Sequence, residues 1–211
     1  MIVISAAIVI ASYLLGAIPF GLLVARWQRG IDIRKYGSGS TGATNVLRTL
    51  GWRASAIVFA SDLAKTIVPV LVARLLTGSA WVESLCAVAA IAGHCWPVYS
   101  NWSGGRGVTS SLGGLIVLQP ILAVACLAVT AIVVSVSRFV SLGSLAGVAF
   151  GTVVMAILVA TGSVPTGYVV MVLGSPLIVF IRHRENILRL LAGTERKIGQ
   201  TSEGARPQTQ T

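Results

Sequence analysis

The chain has 211 residues, of which 55% are hydrophobic and only 10% are charged, and its mean hydropathy is +0.87. The apolar share exceeds that of ordinary soluble domains, so we exclude a soluble globular fold. The formal net charge is +10, but no soluble basic domain is present that would bind nucleic acid. The three cysteines lie in apolar segments without metal-ligand spacing, and we expect no metal and no cofactor.

Apolar segments divide the chain along its whole length. A helix needs roughly 20 apolar residues to cross a bilayer. Segments of about that length begin near Ile2, Trp52, Trp81, Ile121, Val140 and Pro165, and a shorter one follows Gly107. The pattern predicts an all-α integral membrane protein, a bundle of seven transmembrane helices that forms one domain over residues 1–197. The polar tail, residues 198–211, has a composition typical of disorder.

Basic residues occur only in alternate connections. The first, third and fifth connections and the segment after the last helix contain Lys or Arg, whereas the connections around residues 78–79, 118–120 and 161–165 contain none. Positively charged connections stay in the cytoplasm. We therefore predict that the N-terminus lies outside and the C-terminus in the cytoplasm.

The first connection contains an unusual polar stretch, residues 32–48, DIRKYGSGSTGATNVLR. Glycines allow backbone N–H groups to converge on an anion, and Arg48 can grip two phosphate oxygens. Asn45 and Arg48 are three residues apart and would share a face of a short helix. The stretch fits the dinucleotide pattern G-x-G-x-x-G, but apolar segments and no βαβ unit flank it. A phosphorylated ligand is the prediction, and an amphipathic surface loop is the alternative. The hydroxyl donors would be Ser38, Ser40, Thr41 and Thr44.

A second glycine cluster, residues 103–107 (SGGRG), opens the shortest apolar segment. A helix N-terminus preceded by glycines attracts anions, and Arg106 adds a full charge. Together with the first connection on the same membrane face, this turn predicts two phosphate-holding elements and hence two phosphorylated substrates. A purely structural turn is the alternative.

Several ionisable residues lie near these clusters. Asp62 and Lys65 stand at i, i+3 within an apolar segment, where charged groups are often functional, although an internal salt bridge is an equal alternative. His94 precedes the second cluster and would serve as a polar anchor or support the site. His183 ends the last helix and shares a face with Asn186; it suits proton transfer, and a solvated histidine at the membrane rim is its alternative.

These motifs resemble one family, the bacterial membrane glycerol-3-phosphate acyltransferases that use acyl phosphate. The resemblance runs from about residue 14 to residue 197. It rests on Pro19, the 32–48 stretch, Asp62 to Lys65, GH-x-x-P at 93–97, GGRG at 104–107, VSLGS at 140–144, and HR-x-N at 183–186 followed by G-x-E at 193–195. This family usually has GSGN where the chain has Ser40 and GGKG where it has Arg106.

The resemblance implies a seven-helix enzyme of the bacterial inner membrane with a cytoplasmic active site. It would transfer a fatty acyl group from acyl phosphate to the 1-hydroxyl of sn-glycerol 3-phosphate, giving lysophosphatidic acid and phosphate. Its partners would be these substrates and the lipid bilayer, with no obligate protein partner. The alternative is a membrane transporter or binding protein for a small phosphorylated anion, but such a site should lie near the midplane, whereas these polar residues crowd one face.

The resemblance also assigns roles to residues. The catalytic group would be Ser38, Arg106, His183 and Asn186. Glycerol 3-phosphate would contact Ser38, Ser40, Arg48, Ser141, His183 and Asn186. The phosphate of acyl phosphate would lie at Gly104, Gly105, Arg106 and Gly107. Supporting residues would be Gly42, Thr44, Asn45, Asp62, Lys65, His94 and Glu195.

The chemistry agrees with the residue types. Acyl phosphate is already activated, so no nucleophile–histidine pair is required, and none is evident. The soluble-facing acyltransferase motif H-x-x-x-x-D is absent, because Tyr99 and Leu188 stand five residues after the two histidines. The general base is either His183 or the substrate's own phosphate, and we favour the phosphate.

Overall fold

The computed structural model describes residues 1–199, and this part of the chain forms α-helices and three short 3-10 turns without a β-strand. The helices are α1 (Ile2–Gly16), α2 (Phe20–Arg29), α3 (Ala43–Leu50), α4 (Trp52–Thr77), α5 (Ala80–Cys95), α6 (Val108–Leu118), α7 (Pro120–Ser137), α8 (Val140–Ala160), α9 (Val169–Arg182) and α10 (Arg184–Leu191).

Five stretches of helix within the described residues are long and apolar enough to cross a membrane: Ile2–Arg29, Trp52–Thr77, Ala80–Ser100, Pro120–Ser137 and Val140–Ala160. The pair formed by α9 and α10, bent by 61°, brings the number to as many as six. The remaining apolar segment is α6, whose 11 residues extend only about 16 Å. Each predicted apolar segment is therefore helical. By length, however, the expected seven-helix bundle consists of up to six spans and one half-length helix.

The first span is interrupted by Pro19. A proline lacks an N–H group and disfavours the α conformation of the residue before it, so α1 ends and α2 begins anew after the proline. The break leaves the carbonyl group of Ile18 directed into the bundle, where it accepts a hydrogen bond from Lys65 at 3.2 Å.

Helices α7 and α8 pack closely because α8 presents glycines one turn apart. A Cβ atom at Gly143 would lie 2.3 Å from a methyl group of Val134, and one at Gly147 would lie 2.1 Å from the hydroxyl oxygen of Thr130. Small residues at this spacing are a common means of helix association in membranes, where packing replaces the hydrophobic effect.

An ion pair lies in the last turn of α4, where Arg74 is partly exposed and Glu83 is buried. Arg74 contacts the Glu83 carboxylate at 2.7 Å and donates to the carbonyl oxygen of Val117 at 3.0 Å, which ties α4, α5 and α6 together. Both side chains interrupt apolar runs, but neither was among the residues predicted to form the site.

The polar connections meet at one end of the bundle. Arg34 in the first connection donates to the carbonyl oxygen of Ser100 at 2.9 Å, and Ser141 at the start of α8 donates to Glu195 at 2.8 Å. In the segment predicted to be disordered, Ile198 donates its backbone N–H to the carbonyl oxygen of Arg138 at 2.8 Å and accepts from the Arg138 guanidinium at 3.0 Å. The rest of that tail, residues 200–211, lies outside the described residues.

Candidate active site

Asn45 organises the first connection from the buried face of α3. Its side-chain nitrogen lies within 2.9–3.2 Å of three backbone carbonyl oxygens of the loop, and its oxygen accepts from the backbone N–H of Ser38 at 2.9 Å. Gly37 has φ +60°, and a Cβ atom there would lie 2.2 Å from the Asn45 oxygen. The loop therefore needs glycine at this position to close around the amide. The predicted short helix with Asn45 and Arg48 is confirmed as α3.

A cavity of about 290 Å³ opens between this loop and helices α6, α8 and α9. One end is polar and the other is apolar. The polar end contains Ser38, Ser40, Gly42, Thr44, Asn45, Arg48, His94, Arg106, Gly107, Ser141, His183 and Glu195. The apolar end contains Leu112, Leu115, Leu127, Val148, Met155, Met171 and Val172.

A second cavity, of about 300 Å³, adjoins the first and shares part of its lining. It shares Ser38, Ser40 and Arg106 with the first cavity, and its own lining includes Gly104 and Asn186. Three of the predicted site residues, Gly105, Asp62 and Lys65, line neither cavity.

Two arginines give the polar end of the first cavity its positive charge. Within residues 1–199, neither Arg48 nor Arg106 has a carboxylate at ion-pair distance. Burial lowers the pKa of Arg106; the Glu195 carboxylate opposes this effect, and nearby arginines add to it. Desolvation and the charge of Arg196 lower the pKa of Arg48 in the same way. Such shifts leave a guanidinium protonated at neutral pH, so the cavity holds positive charge that an anion can neutralise.

The glycine turn before α6 is built on His94. The backbone N–H of Gly105 donates to the carbonyl oxygen of His94 at 3.0 Å, and a Cβ atom on Gly104 would lie 2.2 Å from that oxygen. Arg182 donates to the carbonyl oxygens of Gly104 and Gly105 at 3.2 and 3.0 Å. The N–H group of Gly105 is therefore engaged within the protein.

The backbone N–H groups that suit an anion lie further along the chain, at the start of α6. Gly107 lines the first cavity with φ +85°, and α6 begins there without a side-chain cap. The uncapped N–H groups of the first turn and the helix dipole favour negative charge at this point. Of the predicted phosphate cradle, Arg106 and Gly107 thus face the first cavity, and Gly104 and Arg106 face the second.

His183 and Glu195 complete the polar end. His183 is 2% exposed, and its Nδ1 atom lies 2.8 Å from the carbonyl oxygen of Val179. Because a carbonyl oxygen only accepts, Nδ1 carries the hydrogen, and in the neutral ring Nε2 is left as an acceptor. Two arginines that hold the site were predicted only to set the membrane orientation. Arg182 donates to the glycine turn, and Arg189 donates to Glu195.

Glu195 joins three elements of the site. One oxygen of its carboxylate accepts from the hydroxyl of Ser141 at 2.8 Å and from the amide of Asn186 at 2.7 Å. The other oxygen accepts from Arg189 at 2.7 Å. Burial raises the pKa of Glu195, but these hydrogen bonds outweigh it and hold the pKa below its usual value. Ser141 and Asn186 are thus kept in place by a carboxylate that stays ionised.

The fold and the site together define the class of this protein. It is a multi-pass integral membrane protein in which a cationic cavity at one end of the bundle continues into an apolar cleft between helices. A cavity of this kind suits a ligand with an anionic head group and an apolar tail.

The chain belongs to the glycerol-3-phosphate acyltransferase family, whose model matches residues 6–193. Glycerol-3-phosphate acyltransferase 3 of Dehalococcoides mccartyi is 44% identical over 207 residues, covering 92% of this chain and 96% of the relative. A glycerol-3-phosphate acyltransferase of a Synechococcus species is 43% identical, covering 95% of this chain and 98% of the relative. The resemblance found in the sequence is thereby confirmed at the level of the family.

Solved structures agree with this membership. One is the crystal structure of PlsY (YgiH), an integral membrane glycerol 3-phosphate acyltransferase, in its glycerol 3-phosphate form. It is 34% identical and superposes with a TM-score of 0.85 over 92% of this chain and 96% of that chain. The lysophosphatidic acid form of PlsY superposes with a TM-score of 0.83.

Proposed function

We propose that this protein transfers a fatty acyl group from acyl phosphate to the 1-hydroxyl of sn-glycerol 3-phosphate, forming lysophosphatidic acid and inorganic phosphate. The observation that carries the proposal is the single cavity that joins Arg48 and Arg106 to an apolar cleft. Such a cavity can hold the phosphorylated acceptor at its polar end and the acyl tail of the donor in its apolar end.

Glycerol 3-phosphate would bind with its phosphate at Arg48 and the hydroxyl of Ser38. A guanidinium grips two phosphate oxygens at once and fixes their orientation. Ser141, which Glu195 holds in place, and the Nε2 atom of His183 would contact the glycerol hydroxyls. Ser40 and Asn186 complete this proposed set of contacts.

Acyl phosphate would place its phosphate at Arg106, Gly107 and the N-terminus of α6, with Gly104 on the far side of Arg106. Its tail would lie among α6, α7, α8 and α9, where most of the lining side chains are apolar. Phe59 and Leu127, which also line this cavity, are 39% and 44% exposed. The cleft therefore opens sideways between α4 and α7, which suits a donor that arrives from the bilayer.

The transfer would proceed in one step without a covalent enzyme intermediate. The 1-hydroxyl oxygen of the acceptor attacks the acyl carbon, the bond from that carbon to the phosphate oxygen breaks, and phosphate leaves with the electron pair. Arg106 and the N–H groups at the start of α6 would stabilise the charge on the leaving phosphate and the carbonyl oxygen. Holding both substrates in one cavity supplies proximity.

The hydroxyl proton would pass to a phosphate oxygen of the substrate. The second pKa of a phosphate monoester is about 6, so its dianion can accept a proton close to neutral pH. His183 is held by Val179 with Nε2 as a hydrogen-bond acceptor, so it would orient the hydroxyl before attack. The distribution of Lys and Arg supports placing the site at the cytoplasmic face of the inner membrane in a seven-helix arrangement.

Phosphate release tests this function directly. The purified full-length protein in detergent micelles would be mixed with glycerol 3-phosphate and palmitoyl phosphate. We expect one inorganic phosphate for each lysophosphatidic acid formed, and at most traces of product when palmitoyl-CoA replaces the acyl phosphate. Efficient use of palmitoyl-CoA would contradict the proposed donor. Binding of glycerol 3-phosphate without any acyl transfer would favour the alternative of a carrier.

A further inference from the structure

Three ionisable side chains are buried behind the glycine turn. Asp62 and Lys65 of α4 and His94 of α5 are 1%, 3% and 5% exposed. The ammonium nitrogen of Lys65 lies 2.8 Å from a carboxylate oxygen of Asp62 and 2.7 Å from Nδ1 of His94. It also donates to the carbonyl oxygen of Ile18 at the break between α1 and α2. The cluster thus links the first span to α4 and α5.

Asp62 and Lys65 do not reach the substrates in the proposed arrangement, because they line neither cavity. Burying charged groups among apolar helices is costly, and a buried ion pair rarely repays its desolvation in stability. The cluster therefore calls for a role other than contact with the ligand or simple stabilisation of the bundle.

His94 connects the cluster to the glycine turn. Its carbonyl oxygen accepts from the N–H of Gly105 at 3.0 Å, and a Cβ atom on Gly105 would lie only 1.9 Å from Nε2 of the ring. The backbone of Gly105 thus lies directly against the imidazole. Arg106 follows immediately in the chain, so the His94 ring lies against the backbone that carries the Arg106 side chain.

We infer that Asp62, Lys65 and His94 are positioning residues that hold the glycine turn, and through it Arg106, at the wall of the cavity. The ammonium group of Lys65 can only donate, so Nδ1 of His94 accepts and Nε2 carries the hydrogen. Asp62 holds the ammonium group in place at 2.8 Å. A partner on one ring nitrogen fixes the orientation and tautomer of a histidine in this way. The inference rests on the proposed function for the role of Arg106.

Lys65→Met tests the inference because it preserves side-chain length and removes the charge. We expect kcat for acyl transfer to fall about 10- to 100-fold, the usual effect of losing a second-layer partner. The KM for glycerol 3-phosphate should change little, since Arg48 lies on α3, a different element. His94→Asn keeps an acceptor near the position of Nδ1 and should retain more activity than His94→Leu. The comparison of His94→Asn with His94→Leu also tests the inference if the Lys65→Met protein does not accumulate in folded form.

The decisive measurement combines Lys65→Met with Arg106→Ala. If the cluster acts through Arg106, Lys65→Met costs little further activity once that guanidinium is gone. An equal fold-loss in the wild-type and Arg106→Ala backgrounds would overturn the inference while leaving the proposed function intact. Near wild-type turnover of Arg106→Ala alone would instead overturn the proposed function, and this inference with it.

The ion pair of Arg74 with Glu83 provides a control, because it also joins α4 to α5 through a buried carboxylate but lies in the last turn of α4, away from the glycine turn. Glu83→Gln should lower the thermal unfolding midpoint in detergent and leave kcat unchanged. If Glu83→Gln reduced kcat as much as Lys65→Met, loss of bundle stability would explain both results. The positioning role would then be wrong.

Discussion

Arg106 is the residue on which the proposed mechanism depends most. Arg106→Ala should lower kcat by roughly 10²–10³, the usual effect of removing one contact that stabilises developing charge. Arg106→Lys should retain substantial activity, because the charge survives and only the planar fork is lost. Steady-state phosphate release by the purified variants measures both effects.

The control for this series is Arg53, an exposed arginine that lies over the ring of Trp52 at 5.5 Å. Arg53→Ala removes the same charge outside the cavity and should leave kcat unchanged. If Arg106→Ala behaved like Arg53→Ala, the glycine turn would be no more than the start of a helix, and the mechanism proposed above would be wrong.

Glu195 predicts a pH-dependent contribution to stability. Its pKa is held below the usual value by the hydrogen bonds from Arg189, Asn186 and Ser141, against the effect of burial. A group with a lowered folded-state pKa stabilises the protein above its unfolded-state pKa, and this contribution disappears as pH falls through the folded-state pKa. The wild type should therefore unfold at a higher temperature than Glu195→Gln at neutral pH, and the difference should shrink below a pH of about 4.3.

Thermal unfolding of both proteins in detergent, followed from neutral pH to about pH 3, measures this difference. A gap between the two midpoints that stays constant across the whole range would show that the carboxylate charge is not what holds Ser141 and Asn186.

At the scale of elements, α6 determines how donor and acceptor meet. Gly107 is the N-cap of this helix, and a Cβ atom there would lie 3.0 Å from the sulfur of Cys95 and 3.3 Å from methyl groups of Ile91 and Val179. Gly107→Ala combines a strained backbone angle with this crowding, so the first turn of α6 must shift. We expect kcat/KM for acyl phosphate to fall at least about tenfold, because the uncapped N–H groups move away from the phosphate.

Gly162 is the matched control for this substitution. It also has a positive φ, +70°, but no atom lies within 4 Å of a Cβ built there, and it follows α8 at the end of the bundle away from the cavity. Gly162→Ala should cost stability through backbone strain alone and leave kcat/KM unaltered. Equal losses in the two variants would mean that strain, and not displacement of α6, lowers the activity.

At the scale of the whole molecule, the asymmetric distribution of Lys and Arg predicts the orientation. A fluorescent reporter fused after Lys197 should fold in the cytoplasm, and a periplasmic phosphatase fused at Gly162 should be active. The opposite pattern would invert the bundle and separate the proposed site from cytosolic glycerol 3-phosphate.

The sequence by itself determined the class of the molecule, because the length and hydropathy of a membrane helix are local properties. The apolar segments, the family and the polar stretches that line the cavities could all be recognised from consecutive residues. Asn45 and Arg48 were placed on one helical face for the same reason, since their spacing alone implies it.

Tertiary structure decided which of these residues touch each other. The sequence motif suggested that the glycines before α6 would bind phosphate; the structure adds a second reason for glycine at 104 and 105, because His94, about ten positions earlier, occupies the adjacent space. The hydrogen bond from Ser141 to Glu195 joins residues that are 54 positions apart in the sequence. Contacts of this kind depend on how the helices pack, and packing in a bilayer follows from close fit between side chains that no single segment encodes.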